Sequence, residues 1–341
     1  MLFASAAQAQ SSLTIYGIVD SSLQYVKFDR PVSPSLQAAS GNLQASRFGF
    51  RGSEDLGGGY KANFQLEAGF NTYTGVAGGS TLWNRGSAVG LSTPYGSMDF
   101  GYMYLPIYWA FLGSDVSTYG LSNPAAIMSL EHTVTLGRSG TGGFYPNALR
   151  YRTPNMGGLT AELGYSFGAE KVGNQSQDGR NVGFSTQYTK GPLYLAYGVN
   201  RYQYYLTPTT PDASSQITQV VSGTYDLGKV VIGGNYLYTK RTDATNFFAS
   251  AEMLNAKIPL GFGDINIGAA RRIENGGARA MAYDIGYVHY LSKRTQLYTY
   301  GAYISNNSKS TQGFALLGPS FASVQPGFKP WAFTAGLRTS F

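Results

Sequence analysis

The chain has 341 residues, and only 13% of them are Asp, Glu, Lys or Arg, about half the share near 25% that soluble domains carry. Gly accounts for 45 residues and Tyr for 27, so the surface is too poor in charge for a large soluble protein and too rich in aromatics for disorder. There is no Cys, and the only histidines are His132 and His289, which removes disulfide scaffolds, thiolate metal sites and cysteine nucleophiles and points to no metal or cofactor.

Residues 1–9, apolar and small with Ala7-Gln8-Ala9 at the end, read as the remnant of a secretory signal peptide that lacks its basic start. Residues 10–341 then read as one domain. From Leu13 to Tyr25, Leu13, Ile15, Val19 and Leu23 alternate with Thr14, Tyr16, Asp20 and Gln24. From Lys61 to Phe70 the alternation is cleaner: Ala62, Phe64, Leu66, Ala68 and Phe70 against Lys61, Asn63, Gln65 and Glu67. A helix would scatter such a set round its axis, whereas a strand sorts it into one apolar and one polar face. The same period of two returns at Ala161 to Phe167, Leu193 to Val199, Ile265 to Ala269 and Trp331 to Phe341.

Short Gly, Pro and Asn turns join these strands in pairs, near Gly57, Pro94, Gly157, Gly191, Gly228, Gly261 and Ser292. Longer polar stretches separate the pairs, at 71–81, 168–179, 205–215 and 304–329. Tight turns on one side and long loops on the other are the rhythm of an outer-membrane barrel. Seven hairpins and two terminal strands predict an all-β fold: a transmembrane antiparallel β-barrel of sixteen strands. No apolar run approaches the 18 or more residues of a membrane-spanning helix, which leaves barrels open. Phe48, Phe50, Phe64, Phe70, Tyr165 and Phe167 lie on the apolar rows near strand ends, as interfacial aromatic girdles do.

The segment from Met103 to Tyr145 has few strand signals but many residues able to pack, among them Tyr104, Tyr108 and Trp109. A loop of that length in a compact protein is functional more often than idle. The net charge is +7, yet the basic residues are spread singly with no Lys/Arg run, which suits small anions and not nucleic acid. Arg47, Arg51, Arg85 and Arg150 alternate with apolar neighbours. Facing lipid at mid-depth, each would cost about 2–4 kcal/mol, so they are expected to face the lumen.

Several stretches together resemble the general porins of Gram-negative bacteria of the Neisseria and Burkholderia kind. They are SLTIYGIVD from Ser12, SRFGFRGSEDLGGG from Ser46, LWNR from Leu82, LRY from Leu149, LSKRT from Leu291 and the closing GLRTSF that ends in Phe341. The resemblance implies a homotrimer of sixteen-stranded channels in the outer membrane, among lipid and lipopolysaccharide. It implies passive diffusion of small anionic or neutral solutes, and no enzymatic activity. It also implies a third external loop, roughly 105–140, folded inward to narrow the channel. Carried onto this chain, the basic side of that constriction falls first to Arg47, Arg85 and Arg150, then to Arg51 and Lys61. Its acidic side falls to Glu67 on the wall and to Asp115 and Glu131 on the loop. Phe341 resembles the terminal signal read by the outer-membrane assembly machinery.

Two departures bear on selectivity. Family members tend to have Gly-Arg-Gln where this chain has Gly101, Tyr102 and Met103, and an acidic residue where Trp109 follows Pro106, Ile107 and Tyr108. Tyr102, Tyr104, Tyr108 and Trp109 therefore keep a second reading open: a substrate-specific β-barrel channel for organic acids or sugars. A hydrolase barrel would need a motif around His132 or His289, and neither has one.

Overall fold

The computed structural model describes residues 12–27, 35–117, 144–168, 177–206, 213–314 and 324–341. Its strands are β1 (Ser12–Lys27), β2 (Ser35–Ser40), β3 (Arg47–Gly57), β4 (Tyr60–Gly69), β5 (Gly86–Thr93) and β6 (Gly96–Tyr104), followed by the helix α1 (Pro106–Leu112). Then come β7 (Phe144–Arg152), β8 (Leu159–Ser166), β9 (Asn181–Lys190), β10 (Leu193–Tyr204), β11 (Ser214–Asp226) and β12 (Val231–Arg241). The last five are β13 (Phe248–Pro259), β14 (Gly263–Glu274), β15 (Arg279–Tyr290), β16 (Thr295–Asn306) and β17 (Trp331–Ser340).

Every strand from β3 onward pairs antiparallel with the next, and β17 returns to β1 with Ile18 opposite Ser340 and Lys27 opposite Trp331. The other edge of β1 is shared: β3 covers Ser12 to Ile18 and β2 covers Ser21 to Val26. The two short strands are thus successive pieces of one stave, and the wall is a closed barrel of sixteen. Closure leaves no unpaired backbone edge in lipid, which is the condition for a sheet to cross a membrane. The last bonds of the seam run both ways between the backbones of Gly17 and Phe341, each 3.1 Å.

The alternating rows sort as their periodicity predicts. Leu13, Ile15, Phe64, Phe100, Leu163, Val221, Leu254, Ile285 and Phe333 are all exposed on the outer face. Their neighbours in the same strands, such as Asp20, Glu67, Glu162, Ser222 and Asp284, are buried on the inner face. Leu254, midway along β13 and 73% exposed, tests the direction of the rows. Leu254→Arg is expected to destabilise the barrel in lipid vesicles by about 2–4 kcal/mol, while Leu254→Ala does much less. A shift in the urea midpoint of the Arg variant no larger than that of the Ala variant would place this row away from lipid.

Between β2 and β3 the chain bends inward. Asp20 holds the bend: one carboxylate oxygen accepts the backbone N–H groups of Leu43 and Gln44, 3.0 and 2.7 Å, and the other accepts the Tyr298 hydroxyl, 2.6 Å. Leu43 is fully buried against Val288, Tyr298 and Tyr300. Asp20 is therefore an architectural carboxylate of the inner wall.

Candidate pore constriction

Glu67 is the node of the basic cluster. On the inner face its cross-strand neighbours are Gly49 on β3 and Gly86 on β5. Neither carries a side chain, so the carboxylate has room between two arginines. Arg85 meets it at 2.9 Å and Arg47 at 3.8 Å. Tyr16, opposite Gly49 on β1, lays its ring over that glycine and donates its hydroxyl to the same carboxylate at 3.0 Å. Arg51, two residues further down the inner row of β3, is exposed and sits 5.3 Å over the Tyr16 ring.

Arg338 on β17 joins the group from the far side of the seam. It lies opposite Asp20 in the β1–β17 ladder, donates to Gln296 at 3.2 Å and is within electrostatic reach of Arg47. Its buried Nε has no partner among the described residues. Sequence reasoning gave Arg338 no part in the pore. The signal was its position in the inward row, and only the closing of the sheet brings that row beside β3. Four guanidiniums then face the carboxylates of Glu67 and Asp20, so this stretch of wall is net positive.

The other predicted site residues divide clearly. Tyr102, Tyr104, Tyr108 and Trp109 join the basic cluster. Tyr104 stacks on Tyr108 with ring centroids 3.6 Å apart, and Phe144 lies 3.7 Å from Tyr104 and 5.4 Å from Tyr102. The Arg85 guanidinium stands 5.7 Å over Phe144, a cation–π distance. Trp109 makes edge contacts to Tyr104 and Tyr108 at 5.9 and 5.2 Å.

Arg150 and Lys61 are not among the partners of Glu67. Arg150 is paired with Asp99 at 2.8 Å. Its pairing row runs through Asp99, Gly90 and Asn63 to Ser53, so Arg150 stands four staves round the wall from Arg47. Lys61 lies next to the β3–β4 turn and is exposed. Glu67 belongs among the arginines and does not oppose them. Asp115 lies within electrostatic reach of Asp284 on β15. That strand is two staves from β17 and four from β3. Glu131, His132 and the rest of 118–143 lie outside the described residues, as do residues 1–11.

The segment 105–117 rests on the inner face of β8–β13. Pro106 opens α1 at its first turn, where the missing N–H costs nothing, and Gly113 ends it. Ile107 and Ala110, one turn apart, bury against Ala196, Val220 and Leu237. The wall beneath lacks side chains at Gly164, Gly183 and Gly198, so the helix backbone sits close: a Cβ at Gly198 would fall 3.0 Å from Ala110 Cβ and 3.2 Å from Ile107 Cα. Polar anchors follow. The Ser222 hydroxyl donates to the Ala110 carbonyl, and the Asn235 amide to the Ser114 hydroxyl at 3.0 Å. The Asn255 amide reaches the Ser114 carbonyl at 3.2 Å. A Cβ at Gly233 would collide with that same carbonyl oxygen.

The chain and its closed barrel match known proteins. The family described as Gram-negative porin covers residues 1–309. The chain belongs to that family. This porin is 30% identical to outer membrane porin protein 32 of Delftia acidovorans, over 98% of its own chain and 96% of the relative. It is 29% identical to an outer membrane porin protein of Bordetella pertussis, over 89% and 91% of the two chains. Among solved structures it superposes on an anion-selective porin from Comamonas acidovorans with a TM-score of 0.90 at 29% identity, covering 97% and 100% of the chains. A trimer form of Vibrio cholerae OmpT shares the fold at 15% identity and a TM-score of 0.70. The porin is accordingly a channel-forming protein of the Gram-negative outer membrane.

Within this porin Glu67 opposes the charge of its neighbours, so its removal has a definite sign. Glu67→Gln is expected to raise anion preference about threefold, the effect of one charge roughly 6 Å away in water-like surroundings. A KCl-gradient reversal potential that moves toward cations in this variant would show that Glu67 acts only by fixing the arginines.

Proposed function

We propose that this porin is a water-filled, anion-preferring channel for passive diffusion of small hydrophilic solutes, narrowed by its third external loop. One observation carries the reading: Arg47, Arg51, Arg85 and Arg338 gather on one side of the inner wall around only two carboxylates, with α1 laid along the inner face. The low-dielectric walls of the passage focus the field of this positive cluster. The anion-selective porin from Comamonas acidovorans has the same fold over its whole length. Reversal potentials of single channels in planar bilayers under a KCl gradient test this. An anion-signed potential is expected, and a cation-signed one would sink the reading.

The second reading, a channel specific for organic acids or sugars, is favoured by the run of rings beside the arginines. The described histidine offers no support for an enzyme: His289 sits on the outer row beside Tyr287 and Phe262, as a girdle residue. The assembly we propose is a homotrimer, in keeping with the trimeric relative. Trp83 folds onto Phe48 and Phe50 on the outer face and leaves Leu82 exposed beside them, an apolar surface suited to a second copy. The remaining outer surface meets outer-membrane lipid and lipopolysaccharide. The C-terminal strand ending in Phe341 is the segment offered to the assembly machinery.

A further inference from the structure

We infer that the constriction recognises aryl carboxylates, anions that carry a flat aromatic ring, over aliphatic carboxylates of the same size and charge. This rests on the anion-preferring reading and goes further, because charge alone does not tell a flat ring from a puckered one.

The geometry begins at a guanidinium and ends at an exposed ring. Arg85 stands over Phe144, Phe144 touches Tyr104, Tyr104 stacks on Tyr108, and Tyr108 meets the edge of Trp109. Each step is 5.7 Å or less. Trp109, the last ring, keeps 37% of its surface exposed, although its neighbours Pro106, Ile107 and Ala110 on the same short helix are buried. An indole left open in a polar lumen is an unfilled stacking surface. Arg47 and Arg85 both lie within electrostatic reach of Tyr104 and Tyr108, so carboxylate and ring are served together. A benzoate-like anion places its carboxylate at the guanidiniums and its ring against the Tyr108 and Trp109 faces. Aromatic pairs gain from quadrupole-matched geometry beyond the area they bury, and a saturated ring gains only the area. Passage also requires that the solute leave again, and one exposed ring beside a cluster already shared with Glu67 gives contact without a closed cage.

The test is block of single-channel chloride current by benzoate and by cyclohexanecarboxylate, added separately. The ratio of their blocking constants is internal to each channel and does not depend on open-pore conductance. In the wild-type porin benzoate is expected to block about fivefold more strongly, the size of one aromatic contact. In Trp109→Leu the ratio should fall to about one, and in Trp109→Phe most of it should return, since a ring is restored. Chloride preference with equal block by the two acids overturns the aryl inference and leaves the anion reading standing. Cation preference with equal block overturns both. A ratio unchanged in Trp109→Leu also overturns the inference, because it moves the discrimination away from this ring.

Discussion

Replacing Arg47 and Arg85 together with Ala is expected to abolish anion preference and carry the pore to weak cation preference. The reason is the sign of what remains. The two guanidiniums and Glu67 together carry one positive charge, and without the guanidiniums the same spot holds the carboxylate alone. Two charges roughly 6 Å from the ion path in water-like surroundings amount to about 1.4 kcal/mol, or about tenfold in relative permeability. Desolvation by the nearby loop makes the effect larger. The KCl-gradient reversal potential reads this directly. Arg150→Ala is the comparison: Arg150 is already matched by Asp99, so its removal should move the potential less than either single change at the cluster. An unchanged potential in the double variant would shift the filter to Arg51 and Arg338.

The second large effect concerns the loop. Gly233→Val is expected to unseat 113–116 while leaving the barrel folded. Its new side chain would occupy the place of the Ser114 carbonyl oxygen and press on Val116, and a backbone atom cannot rotate away as a side chain can. The Asn235 and Asn255 anchors to Ser114 would be lost with it. A helix with its side chains is about 10 Å across, so releasing α1 from the wall should raise single-channel conductance on the order of twofold. Unaltered conductance, in a variant that still inserts and resists unfolding like the parent, would mean that α1 does not limit the open pore. On the proposed reading selectivity follows the arginines and conductance follows the loop, so the two variants should separate these properties.

Much of the fold was legible in the chain. The period of two in segments such as Lys61 to Phe70 holds whatever the neighbours are, because a strand sends successive side chains to opposite faces. Turn residues such as Gly191 and Pro192 mark where each strand stops. Even the shared stave of β2 and β3 leaves the count of sixteen intact. At the constriction, Arg47, Arg85 and Glu67 were named from sequence and are found in contact. Arg150 and Lys61 were named with them, but Arg150 pairs with Asp99 and Lys61 lies beside the β3–β4 turn. They satisfied the same rule, a basic residue on an inward row, but the rule does not say which carboxylate each one meets.

Arg338 shows the complementary case. It lies nearly 300 positions from Arg47 in sequence, and the β1–β17 seam brings them to one patch. The sequence alone determined which residues face lipid and which face water, since alternation is a local property and the cost of a charge in hydrocarbon sets its direction. The tertiary structure alone decided which inward residues meet. Strand register, the gaps left at Gly49 and Gly86, and the seat of α1 over Gly198 and Gly233 are set by pairing between distant segments. Contacts of that kind depend on the closed sheet as a whole, and the period of any one strand carries no record of them.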